Sequence, residues 1–154
     1  MAPIEFTFES DVTASPADAW RWITSLKGIS AEMWPYFRMT VPRGAKSIED
    51  LDVAPGKMLF RSRFYLFGFL PIDHSDLTLI EIRDGEGFIE QSPMGSMKLW
   101  RHDRRIVPTA DGSQIVDHLT FEPRWMKRVT AWFMHNVFQH RHKVIRQRLN
   151  QFGA

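Results

Sequence analysis

Polar and apolar residues alternate from Ile4 to Val12: Ile4, Phe6 and Phe8 point one way and Glu5, Thr7 and Glu9 the other. A period of two marks a half-buried strand. The period then changes. Ser15-Pro16 has the chemistry of a helix start, with Ser15 as N-cap and Pro16 at the first helical position. Asp18 falls in the first turn, where the helix dipole favours an acid. Ala19, Trp20, Ile23 and Leu26 form the apolar face, and Gly28 is the expected stop. A second short helix is expected over 30–34, ended by Pro35.

Alternation returns after Gly56. Over 57–67, Met58, Phe60, Ser62 and Phe64 share one face, with Leu59, Arg61 and Arg63 on the other. Further strands are expected over 73–82, 88–92, 98–107 and 113–121, separated by turn signals at Asp84-Gly85, Pro93–Gly95 and Asp111-Gly112. Short turns between successive strands imply an antiparallel sheet. Pro123 closes the last strand, and from Trp125 to Gln151 the pattern is helical, with no Pro or Gly and with Val129, Phe133, Val137, Val144 and Leu149 near one broad side. Such a helix would be about 40 Å long. The order predicts an α+β helix-grip fold: a curved antiparallel β-sheet wrapped around a long C-terminal helix, with two short helices after the first strand. Nothing divides the 154 residues, so a single domain over 1–154 is expected.

Composition narrows the function. Twelve Phe and six Trp are a high aromatic share, which means a large core or an apolar binding site. A formal net charge of +2, with no contiguous basic face or stacking motif, argues against nucleic acid. The absence of Cys excludes disulfides, thiolate nucleophiles and Cys-based zinc sites, and fits a reducing, cytoplasmic setting. Residues 1–11 lack the basic and apolar regions of a secretory leader. No apolar run approaches the length of a membrane span, so stable membrane insertion is not expected.

The runs GFIEQSPMGSMKLWRH, DGSQIVDHLTFEP and FQHRHKVIRQRL, with the opening VTASPADAWRWITSL, resemble the START-like (SRPBCC) superfamily, which includes polyketide cyclases and birch-pollen-allergen-like proteins. The residues that carry the likeness are Phe88, Glu90, Trp100, His102, Asp117 and Pro123. The resemblance implies a cavity between sheet and terminal helix for a lipid, polyketide or aromatic metabolite. It does not choose between carrier and enzyme.

Alternation puts Trp100, His102 and Ile106 on one strand face and Ile115, Asp117, Leu119 and Phe121 on one face of the next. Binding or carrying of a hydrophobic small molecule is therefore the first reading. Trp34, Phe60, Trp100, Leu119 and Phe133 would supply apolar walls, and His102, Asp117, Glu90 and His140 polar handles. One alternative is an aromatase/cyclase- or dehydratase-like enzyme with His102 as acid/base oriented by Asp117. Another is a protein-interaction module using the same groove. A homodimer is compatible with each. No cofactor is expected, because no phosphate-binding or nucleophile motif occurs. No metal is expected either: His135 and His142 share a helix side, whereas His140 lies roughly 140–160° away. His135 and His142 are expected in solvent, with His140 facing the sheet near Phe133 and Val137.

Overall fold

The computed structural model describes residues 2–150. Strand β1 (Ile4–Val12) leads into helices α1 (Pro16–Thr24) and α2 (Leu26–Met33). Strand β2 (Phe37–Met39) and a single 3-10 turn (Ile48–Asp50) follow. Then come β3 (Met58–Leu66), β4 (Leu70–Arg83), β5 (Gly87–Gln91), β6 (Met97–Thr109), β7 (Gly112–Pro123) and α3 (Lys127–Leu149). The strands form one antiparallel seven-stranded sheet in the order β1-β7-β6-β5-β4-β3-β2. The first strand closes on the last, and the sheet curls around α3. This is the α+β helix-grip arrangement that the pattern predicts.

Local chemistry accounts for most boundaries. Ser15 accepts a bond from the Asp18 amide and starts α1. Gly28 does not end that helix. Ser25 does, in extended conformation, and its side chain then caps α2 by accepting from the Gly28 amide. The break is therefore a shared serine cap, and the second helix starts four residues before the expected Ser30. Strand β2 was not expected from the sequence; three residues are too few to show a period. Strand β4 starts at Leu70 and passes through Pro71, which is tolerated beside the register shift at Phe64/Tyr65. The β3–β4 turn places Phe67 and Gly68 at positive φ (52° and 88°).

Helix α3 starts two residues later than the pattern suggested, at Lys127, after Met126 in the left-handed region. Its expected end at Gln151 lies outside the described residues. Its buried face is Met134, Val137, Phe138, Arg141, His142, Ile145 and Leu149. Val129 is exposed and Val144 only half-buried, which corrects the stripe inferred from apolar residues alone. The true stripe has helical spacing but includes an arginine and a histidine, which a count of apolar positions passes over.

The core has two apolar parts. One contains Val12, Ile23, Leu26, Ile106, Ile115, Ile145 and Leu149. The other contains Met33, Trp100, Leu119, Phe121, Val137 and Phe138. Among the described residues, no helix is long and apolar enough to cross a membrane.

Gly28 generates the first prediction. Inside a helix, Gly→Ala ordinarily stabilises by roughly 0.5–1 kcal/mol. Here a Cβ would stand 2.7 Å from the Trp22 carbonyl oxygen, a backbone atom, and 3.1 Å from the Trp22 ring. Overpacking of this kind costs roughly 1–3 kcal/mol. Gly28→Ala should therefore lower stability by about 1 kcal/mol in urea unfolding, the reverse of the propensity rule.

Candidate functional site

Five elements contribute one or two polar residues each at the level where the two apolar parts of the core meet. On β7, Asp117 stands between Ile115 and Leu119. On β6, His102 and Arg104 stand between Trp100 and Ile106. On α3, Arg141 and His142 stand between Phe138 and Ile145. Glu32 comes from α2 and Ser10 from β1. All of these residues are buried.

Their hydrogen bonds interlock. Arg104 and Asp117 are direct cross-strand partners. Arg104 Nε donates to Asp117 Oδ1 at 2.7 Å, and Nη2 to Oδ2 at 2.8 Å. The same guanidinium donates through Nη2 and Nη1 to Glu32, at 2.8 and 3.1 Å. Glu32 also accepts from Arg141 Nε at 3.1 Å and Trp22 Nε1 at 2.9 Å. Asp117 also accepts from His102 Nε2 at 2.6 Å and His142 Nε2 at 2.7 Å. Each carboxylate thus takes four bonds, about its full capacity. The His142 Nδ1 faces Ser10 Oγ at 2.7 Å, and Arg146 donates to that hydroxyl at 3.0 Å.

Electrostatics follow from this closure. Burial by itself raises the Asp117 carboxyl, but Arg104 and His102 outweigh it and hold the group well below the ordinary carboxylate range. Burial likewise raises Glu32, and Arg104 with Arg141 brings it down overall. Arg104 is held charged by Asp117 and Glu32 against its burial. Arg141 is pulled below its ordinary value by burial and by the like charge of Arg104, with Glu32 and Asp117 opposing. Two carboxylates and two guanidiniums balance in formal charge.

Beside this cluster lies a cavity of about 560 Å³ between the sheet and α3. Its walls are mainly apolar, among them Leu26, Ile29, Phe64, Leu77, Phe88 and Met97. At one end Trp125, Met126, Val129 and Trp132 line it and remain exposed, with Trp125 at 66% and Trp132 at 67%. Its polar groups are few. Glu90, opposite His102 in the β5–β6 register, lies on the wall with His102 and Arg141. Asp73, Ser75, Leu77 and Leu79 follow along β4 by alternation. The Ser75 hydroxyl is buried and has no partner among the described residues.

Of the residues singled out in the sequence, Phe60, Glu90, Trp100, His102 and Phe133 line this cavity. Asp117 and Leu119 are fully buried but are not on its wall. Asp117 lies behind His102, and Leu119 packs in the apolar part of the core that holds Val137 and Phe138. Trp34 is 53% exposed and packs over Gly68, where an added Cβ would meet its ring at 2.9 Å. His140 is off the wall too: its Nε2 bonds the Trp34 carbonyl at 2.5 Å and its ring lies against Tyr36. His142, expected in solvent, is buried in the polar cluster, because helical spacing from Phe138 brings it onto the sheet side. His135 is half-buried against Phe6 and Phe8 rather than solvated.

The residues that sequence reasoning missed are Arg104, Arg141, Glu32 and Ser10. Arg104 was within reach, since it shares the alternation face of Trp100, His102 and Ile106. Ser10 likewise continues the face of Phe6 and Phe8. Arg141 falls on the stripe of Met134, Phe138 and Ile145. Glu32 carries no such signal. Among the described residues, no group of three or more His, Cys, Asp or Glu could hold a metal ion. The Asp117 oxygens already accept from Arg104 and both histidines.

The grip of a curled antiparallel sheet on a C-terminal helix, with a cavity between them, is the START-like (SRPBCC) fold. The chain belongs to the family described as a domain of unknown function, DUF8410, whose model matches residues 10–149. Solved structures with the same fold include protein CV1439 from Chromobacterium violaceum, at TM-score 0.73 and 13% identity over 96% of this chain and 99% of that one. A START superfamily protein from Mycobacterium smegmatis matches at TM-score 0.66 and 11% identity, over 98% and 99% of the two chains. Ara h 8.0201 matches at TM-score 0.65 and 13% identity, over 96% and 97%. None of the curated proteins matches the chain.

Two predictions follow from the cluster. Arg104→Met leaves Asp117 and Glu32 buried with half of their countercharge gone, and should cost about 3–5 kcal/mol in chemical denaturation. The second concerns acid. Asp117 is depressed in the folded state, so its contribution to stability is fully present above its ordinary value of 3.8 and is lost as pH falls towards its lower folded value. Unfolding free energy should therefore drop on acidification below about pH 5, and Asp117→Asn should flatten that slope as well as lower stability at pH 7.

Proposed function

We propose that the domain binds and carries an apolar small molecule in the cavity between the sheet and α3. One observation carries this reading: about 560 Å³ of mainly apolar space remains beside a packed core. That volume is within the range of small-molecule sites, roughly 300–1,000 Å³. The few polar groups on the wall would fix orientation, and the apolar side chains would supply affinity. Trp125, Met126, Val129 and Trp132 at one end give an apolar ligand a path that keeps it out of water. The fold shared with a START superfamily protein and with Ara h 8.0201 supports the same reading at the level of architecture.

A catalytic role for His102 is the second reading, favoured by its contact with Asp117 at the cavity wall. Against it, Asp117 is equally committed to Arg104 and His142, as expected of a structural acceptor. Turnover separates the two. A carrier returns an extracted ligand unchanged, whereas an acid/base enzyme converts it, and His102→Gln slows that conversion by about 10²–10⁴-fold.

Native mass spectrometry of the purified protein should reveal a co-purifying apolar compound. Leu77→Trp, which fills the cavity from a half-buried wall position, should weaken binding of a neutral aromatic probe by at least about tenfold in calorimetry, some 1.4 kcal/mol. Circular dichroism should show the fold intact. Equal affinities in the two folded proteins would remove this cavity as the site.

A further inference from the structure

The hydrogen bonds of His102 specify more than its position. Asp117 is ionised and can only accept, so the His102 Nε2 at 2.6 Å must carry the proton. In the neutral ring the Nδ1 is then a bare acceptor. Its side chain is 3% exposed, and the facing atom is Glu90 Oε1 at 4.0 Å. That distance is too long for a hydrogen bond. The other Glu90 oxygen is already occupied, accepting from Ser92 Oγ at 2.7 Å. Ser92 in turn accepts from the Thr78 amide at 3.0 Å, so this arrangement is anchored to β4. With the ring neutral, two acceptors stand side by side on an apolar wall, and no described residue donates to either. Arg141 is the single Lys or Arg among the described residues on that wall, and its Nε is given to Glu32.

We infer that the polar end of the ligand is a hydrogen-bond donor, a hydroxyl or amine, seated between His102 Nδ1 and Glu90 Oε1. This rests on the apolar-carrier reading and narrows its substrate class. Two acceptors 4.0 Å apart leave room for one hydroxyl or amine between them; a hydroxyl donates to one of them at a time, and an amine with two N–H groups can donate to both. A carboxylate there would set its own acceptor oxygens against both acceptors and donate to neither. An ether or ester oxygen would leave both acceptors unmet, at the cost that buried unsatisfied groups carry.

The test uses three fluorescent probes with one apolar body: 9-anthracenemethanol, its methyl ether and 9-anthracenecarboxylate, each titrated into the wild-type protein at pH 7. The alcohol should bind about tenfold more tightly than the ether, with the carboxylate weakest. Glu90→Gln, with its carbonyl oxygen kept on Ser92 Oγ, puts an NH2 donor where the second acceptor stood, so the preference for alcohol over ether should fall below about twofold. Ether or carboxylate binding as tightly as alcohol would overturn the inference while leaving the apolar-carrier reading intact. So would an undiminished alcohol preference in folded Glu90→Gln. If none of the three probes binds, the carrier reading fails and this inference fails with it.

Discussion

The four charges of Glu32, Arg104, Asp117 and Arg141 form the constraint on which the rest of the fold depends. They sit where α2, β6, β7 and α3 converge and separate the apolar core into two parts. Burying a charge costs several kcal/mol, and only close, well-directed partners offset that. The partners come from four elements separated widely in sequence. Each element must therefore be in its correct place before any of the charges is satisfied. Sliding β6 by one residue against β7 would separate Arg104 from Asp117 and turn Arg104 away from Glu32. Apolar packing on either side could tolerate small shifts that this cluster cannot.

The cluster also explains the character of the cavity. His102 belongs to both, with Nε2 on Asp117 and the opposite edge of its ring on the wall. Its orientation is fixed from behind by groups that do not touch the cavity. The Phe138 ring lies edge-on to His102 and beneath the Arg141 guanidinium, so packing and polar contacts hold the same side chains. A site built this way is formed in advance, and less ordering is required when something enters it.

Much of the fold was legible in the sequence because its signals are local. The β1 alternation, the Ser15-Pro16 start and the Asp111-Gly112 turn each act within a few residues, and each has its expected place. The boundary between α1 and α2 was misread because Gly28 has the look of a terminator, whereas Ser25 performs that role through a side-chain cap. The site was legible only in part. His102 and Glu90 could be placed from strand parity. Trp34 and His140 could not, because their positions depend on how the α2–β2 loop meets α3. Arg104 was overlooked, and His142 placed in solvent, for a different reason. A charged or titratable residue on an inward face reads as an exception to the pattern until its partners are known, and those partners lie up to 72 residues away for Arg104 and 132 for His142.

The charge balance bears on how such a sequence can drift. Losing any one of the four ions strands its opposite in the interior, and most single substitutions at positions 32, 104, 117 or 141 carry that penalty. Exchanging all of them for well-packed apolar residues need not be costly. Relatives should therefore keep the whole set or have abandoned it together, with few intermediates between. Those four positions then act as one inherited character, and their joint presence or absence would divide the family more cleanly than overall sequence identity.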